Sequence, residues 1–180
     1  TDIWDYPKLS IYNNQVDKEG KYFDYLNEKS KKEDFRLYIH IPYCNSFCAY
    51  CQFYKEAYAG NKYINQYFDN LIEELKLYSK QTFFKTNRVA SIFFGGGDPS
   101  IIQYNHFERI MECIYENYNI VSNLSISVEG NVLNLLDEKR LSIYKKYNVS
   151  RLSFGVQTFN ERLRHRLSIK PSISDIYNLV

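Results

Sequence analysis

The sequence predicts an α/β protein built on a parallel sheet. Three observations carry that reading. Strand-period and helix-period segments alternate as βαβαβαβα, the segments between strands are long enough to be crossover helices, and all four strands end in cysteine, glycine or polar residues. Parallel strands joined by such crossovers place successive helices with a fixed right-handed sense, and ligands then gather where the strands end. Four unusual strand ends on one rim therefore predict a site.

Residues 1–35 are polar and irregular and are expected to form a lead-in segment on the outside of the domain, which spans residues 36–180. "RLYIHI" (Arg36–Ile41) sets Leu37, Ile39 and Ile41 against Tyr38 and His40, which is strand period, and Pro42 ends it. After a cysteine loop, Ile64, Phe68, Leu71, Ile72, Leu75 and Tyr78 fall on one face of a long helix. "VASIFFGGG" reads as a buried strand running into three glycines, and "NHFERIMECIYENY" as a helix with Phe107, Ile110, Met111, Ile114 and Tyr118 in register. Cys113 falls one position off that stripe. "LSISVEG" is a third strand, "DEKRLSIYKKY" a third helix and "RLSFGVQ" a fourth strand, followed by a helical stretch interrupted near Pro171.

Composition bounds the function. Lys plus Arg exceed Asp plus Glu by only two in 180 residues, which is no electrostatic footprint for nucleic acid. No apolar run approaches the ~18 residues of a membrane span, and no signal-peptide core begins the sequence. The expected location is cytoplasmic, where thiols stay reduced, so four cysteines point to metal or catalysis before disulfides. Residue 1 is Thr, which predicts that the sequence starts inside a longer reading frame.

Three of the four cysteines stand in "CNSFCAYC", at Cys44, Cys48 and Cys51. A structural zinc site wants four protein ligands, usually from two such knuckles, and only one is present. Thiolates suit iron–sulfur clusters equally well, and three of them on a cubane cluster leave one iron open to a small chelating ligand. Ligand count favours the cluster over zinc.

The spacing C-x3-C-x2-C resembles the signature of the radical S-adenosylmethionine enzymes. "LYIHIPYCNSFCAYC", "FFGGGDPS", "SISVEGN" and "RLSFGVQTFNERL" together are similar, in order and spacing, to the oxygen-independent coproporphyrinogen III oxidases and their relatives, over about residues 36–167. The resemblance implies a partial TIM-type barrel of which the first four βα units are present here, cut before the last strands. It also implies a [4Fe–4S] cluster on Cys44, Cys48 and Cys51, with S-adenosylmethionine chelating the open iron. Reductive cleavage of that cofactor would give a 5′-deoxyadenosyl radical, with a flavodoxin or ferredoxin as electron donor and a tetrapyrrole as substrate.

By the same resemblance Tyr38 lies near the methionine end of the cofactor and Tyr50 at the adenine. Gly96 and Gly97 approach the amino group through their backbone, and Glu129 and Gln157 contact the ribose and the neighbouring ligand. Asp98 replaces the usual Thr, a carboxylate placed to accept from an ammonium group. Each has a plainer reading: a tight turn for Gly95–Gly97, a solvated carboxylate for Glu129, a structural amide for Gln157, core aromatics for Tyr38 and Tyr50, a buried hydrogen bond for His40. No catalytic residue is singled out.

Two further departures bear on function. Phe53 occupies the position of a fourth cysteine in the strict oxidases, and Ile169, beside Lys170, that of an arginine. The first resembles the haem-trafficking proteins, haem-degrading enzymes and methyltransferases of the group. The expected function is a radical enzyme acting on a tetrapyrrole, with a haem chaperone of the same fold or a methyltransferase as alternatives.

Overall fold

The computed structural model describes residues 21–28, 32–58 and 60–180. The expected lead-in lies partly outside the described residues. The part that is described is ordered: α1 (Lys21–Glu28) is a helix, followed by β1 (Asp34–Ile41), which begins two residues earlier than its hydrophobic alternation indicates.

The remaining elements follow in order. β2 (Tyr43–Cys44) and β3 (Glu56–Ala57) bracket the cysteine loop. Then come α2 (Asn61–Ser79), α3 (Thr82–Thr86), β4 (Arg88–Gly96), a 3-10 turn (Pro99–Ile101) and α4 (Tyr104–Asn117). The last part comprises β5 (Asn119–Gly130), α5 (Val132–Leu135), α6 (Glu138–Lys146), β6 (Arg151–Phe154), α7 (Glu161–Arg166) and α8 (Ile173–Leu179). The main sheet has the order β1-β4-β5-β6, with every neighbouring pair parallel. The four long strands thus lie in sequence order, as four successive βα units require.

The two faces of this sheet differ chemically. Ile39 and Ile41 of β1, Ile92 and Phe94 of β4, and Ile126 and Val128 of β5 are buried in one core with Phe68 and Ile72 of α2 and Phe107 and Ile110 of α4. Burial of each such side chain stabilises the fold by about 1.5–3 kcal/mol. The alternate residues point the other way. Tyr38, Ser91, Phe93, Ser125 and Ser127, with Arg36, line an open trough of about 560 Å³. Polar side chains there explain why the strands alternate instead of reading as the continuous apolar runs of a sheet covered on both sides.

Helix ends are set by local chemistry. Asp137 caps α6 by accepting from the backbone of Lys139 and Arg140, so the "DEKR" run is a helix start. Ser172 and Asp175 form a capping box that starts α8 after the interruption at Pro171. Cys113 is buried, at 5% exposure, against the α2 backbone, its Sγ 3.9 Å from the Ile72 carbonyl oxygen. It belongs to the core although it falls one position off the apolar stripe, because α2 covers that flank of α4.

Candidate functional site

The cysteine loop is fastened at its base. β2 and β3 pair as a short parallel ladder, with Glu56 N–H donating to Pro42 O (2.8 Å) and Tyr58 N–H to Cys44 O (3.1 Å). Within the loop, Cys51 N–H turns back on Cys48 O at 3.1 Å, and the Lys55 ammonium donates to Cys51 O at 2.8 Å. All three cysteines of the loop are reduced and half-buried.

The glycines bring the end of β4 against this loop. Gly97 N–H donates to Ile41 O (2.7 Å) and Asp98 N–H to Tyr43 O (2.9 Å). A Cβ on Gly97 would stand 2.8 Å from the carbonyl oxygens of Pro42 and Tyr43 and 2.9 Å from Cys44 Sγ. Gly96 has φ +121°, and a Cβ there would lie 2.6 Å from Ile41 O. These glycines are thus required by the chain's own packing: only a missing side chain lets the rim of β4 touch the exit of β1.

Glu129, at the end of β5, lies near the Gly96 backbone N–H, and burial outweighs that N–H and the nearby Arg151 in holding its carboxyl above the usual range. Tyr38 is raised by burial and then by Glu129, and its hydroxyl lies 3.0 Å from His40 Nδ1. His40 was not among the expected site residues. Its ring reaches Gly96, within 2.9 Å of where a Cβ would stand. The signal was present in the sequence, because His40 shares the strand face of Tyr38.

On the other side of the loop, burial and then Cys48 and Cys51 push the Tyr50 phenol up to about 12, with Gln157 offsetting part of this, and its hydroxyl lies with the Gln157 amide beside Gly155. Gln157 follows β6 in a left-handed conformation, φ 62°, and its amide packs against Gly155. Tyr38, Tyr50, Gly96, Gly97, Glu129 and Gln157 therefore border one rim with the three cysteines.

Asp98 is placed differently from the expectation. It is buried, and its Oδ1 accepts from the backbone of Ser100 (3.2 Å) and Asn131 (3.1 Å) while Oδ2 accepts from Asn134 Nδ2 at 2.9 Å. The Ser100 hydroxyl completes the set. The carboxylate joins the loop after β4 to the loop after β5, with four donors of this chain already on it. Burial still leaves its pKa raised.

The donor set can be tested for an iron–sulfur cluster. Burial, then Asp98, then the neighbouring Cys51 and Cys48 push the Cys44 thiol up to about 11, with Lys55 offsetting part of this. Three thiolates gathered beside a carboxylate call for positive charge, which a cluster's irons supply. Among the described residues no three His, Cys, Asp or Glu side chains converge to hold a single metal ion. A cubane cluster asks for a different arrangement, one thiolate to each of three irons, and the loop's three free cysteines supply donors of that kind and number.

Comparison with known proteins agrees with this geometry. The family model of the radical SAM superfamily matches residues 38–180. The chain is 37% identical over 133 residues to heme chaperone HemW of Buchnera aphidicola (subsp. Schizaphis graminum), covering 73% of this chain and 34% of that protein. It is 27% identical over 143 residues to anaerobilin synthase of Escherichia coli O157:H7, covering 79% of this chain and 32% of that protein. It is 28% identical over 148 residues to oxygen-independent coproporphyrinogen III oxidase of Salmonella typhimurium, covering 80% and 31%. Among solved structures, coproporphyrinogen III oxidase (HemN) from Escherichia coli superposes with a TM-score of 0.81 at 24% identity, over 89% of this chain and 36% of that one. That likeness bears on the fold, which is the parallel α/β sheet of a partial TIM-type barrel. The chain spans about a third of the length of these relatives. With the cysteine spacing, the glycine rim and a family match over most of its length, this chain belongs to the radical SAM superfamily, among the relatives of the oxygen-independent coproporphyrinogen III oxidases.

Proposed function

We propose that the rim formed by the cysteine loop, Gly95–Gly97, Glu129 and Gln157 is the cofactor site of a radical enzyme that acts on a porphyrin-type tetrapyrrole. Membership of the superfamily implies a [4Fe–4S] cluster and S-adenosylmethionine. When bound, that pair supplies one-electron cleavage of a sulfonium C–S bond and a carbon radical able to take a hydrogen atom. This chain's residues have the tasks of holding and shielding.

Cys44, Cys48 and Cys51 would hold the cluster, leaving one iron for the amino acid end of the cofactor. Glu129, near the Gly96 backbone N–H, is suited to accept from ribose hydroxyls or an ammonium group. Tyr50, whose hydroxyl lies with the Gln157 amide beside Gly155, offers an aromatic face to an adenine ring. Tyr38, whose phenol pairs with His40, borders the open trough with Ser91 and Ser127. The observation that carries the reading is the convergence of four strand ends on one rim, with glycines that allow the cysteine loop to touch it.

A second reading is a haem chaperone of the same fold. The 37% identity to a HemW protein favours it, as does Phe53 in the place of a further cysteine. Anaerobically reconstituted protein with reductant, S-adenosylmethionine and either coproporphyrinogen III or haem separates the two. Deoxyadenosine formed in step with substrate loss supports the enzyme. Stoichiometric haem binding without substrate loss supports the chaperone. The absence of both results, from protein carrying an intact cluster, would contradict a tetrapyrrole role.

A further inference from the structure

We infer that Arg164 is a positioning residue that locks Gln157 in its site conformation and, through α7, joins the Gln157 turn to the cysteine loop. This rests on the proposed cofactor site and goes beyond it, since Arg164 borders no part of the rim. Its side chain is buried, at 4% exposure. Nη1 donates to Val156 O at 2.8 Å and to Thr158 O at 2.7 Å, and Nη2 donates to Pro171 O at 2.5 Å. The first two carbonyls flank Gln157, the residue held at φ 62°. A side-chain-bearing residue persists in that region only where its surroundings fix it. A forked guanidinium can meet carbonyls in several directions at once, which an ammonium on a flexible stem does less well.

The same short helix has a second attachment. Leu167, which ends α7, accepts from the Ala49 backbone N–H at 3.1 Å, between Cys48 and Tyr50. The Tyr50 hydroxyl and the Gln157 amide both lie beside Gly155. A closed circuit results: Arg164 to the Gln157 turn, Gln157 to Tyr50, the cysteine loop back to Leu167. Displacement of one member moves the others.

The test uses anaerobically reconstituted protein as wild type, Arg164→Met, Arg164→Lys, Gln157→Ala and the Arg164→Met/Gln157→Ala double variant. Hydrogen exchange is read in peptides covering 46–50, 155–158 and, as reference, α4. Arg164→Met is expected to speed exchange in both loops and leave α4 unchanged, with Arg164→Lys intermediate. Fast exchange confined to 155–158 would overturn the coupling. Binding of S-adenosylmethionine, followed by its effect on the reduced cluster's paramagnetic spectrum, is expected to weaken roughly three- to tenfold in Arg164→Met. In the Gln157→Ala background the same change is expected to add nothing. Additive losses would overturn the claim that Arg164 acts through Gln157. If Arg164→Met does not fold, Arg164→Lys is compared in the two backgrounds with the same expectations. A wild type that carries the cluster and shows no cofactor effect contradicts the proposed site, and the exchange data alone then decide the role of Arg164.

Discussion

Gly97→Ala tests how tightly the glycine rim and the cysteine loop depend on each other. The new methyl group would stand 2.8 Å from two backbone carbonyl oxygens and 2.9 Å from Cys44 Sγ, against 3.4 Å or more for an ordinary contact. Relief needs a shift of about 0.6 Å, the difference between 3.4 and 2.8 Å. The atoms that must move are not free to do so. Pro42 O accepts from Glu56 N–H, Tyr43 O accepts from Asp98 N–H, and Gly97 itself donates to Ile41 O. Overpacking costs ~1–3 kcal/mol, and one weakened hydrogen bond adds ~0.5–1.5 kcal/mol, giving about 2–4 kcal/mol in all. For a domain of this size that corresponds to a fall in Tm of roughly 5–15 °C. The assay is thermal or urea unfolding of the metal-free protein, with iron content after anaerobic reconstitution measured in parallel. Both stability and iron uptake are expected to fall. A variant with wild-type melting and full iron would refute the contact that joins the two loops.

The cysteines divide into two classes. Alanine at Cys44, Cys48 or Cys51 is expected to remove most of the visible cluster absorbance. Cys113→Ala is expected to keep it and lose about 1 kcal/mol of stability, because that thiol is packed in the core. Gln157→Gly removes the cost of a left-handed side-chain-bearing residue, about 1–2 kcal/mol. Unfolding stability should hold or rise while cofactor binding weakens, and a variant that binds as wild type does would contradict the role given to the amide. Burial raises the folded-state pKa of Asp98 above its ordinary 3.8. The folded protein therefore holds this proton more tightly than the unfolded chain. Stability from this group is full below 3.8 and is lost as pH rises through the raised value. Wild-type stability relative to Asp98→Asn should accordingly fall across that window in urea titrations, and a relative rise would contradict the burial-dominated shift.

Much of the sheet was legible in the sequence because one face is packed and the other open. Leu37, Ile39 and Ile41 alternate for that reason, and so do the residues of β4 beyond Val89. Boundaries were less legible. β5 begins at Asn119, well before "LSISVEG", because Ile120 pairs with Val89 in β4. β6 stops at Phe154 because Gly155 and the left-handed Gln157 turn the chain away. α1 was hidden in a polar stretch. Part of what fixes it is tertiary, since Asn27 accepts from the Phe83 backbone N–H of α3 at 3.2 Å.

The candidate site was legible wherever a residue type is forced by chemistry or by space, as at the three cysteines and at Gly96 and Gly97. It was not legible where partners lie far away in the chain. Nothing local in "ERLRHR" distinguishes the buried Arg164 from its exposed neighbours Arg162 and Arg166. Asp98 could be assigned to its network only once Asn131 and Asn134, more than 30 residues away, were seen to donate to it.

The central claim is that Cys44, Cys48 and Cys51 hold a cluster with one iron open to S-adenosylmethionine at this rim. Electron-nuclear double resonance on the reduced, anaerobically reconstituted protein tests it directly, using cofactor labelled with heavy nitrogen in its amino group. The expected result is a hyperfine coupling from the label to the cluster, present in Cys113→Ala and absent from each of the other three alanine variants. A fully loaded cluster that shows no coupling at saturating cofactor would contradict the open iron, as would a cluster that disappears in Cys113→Ala.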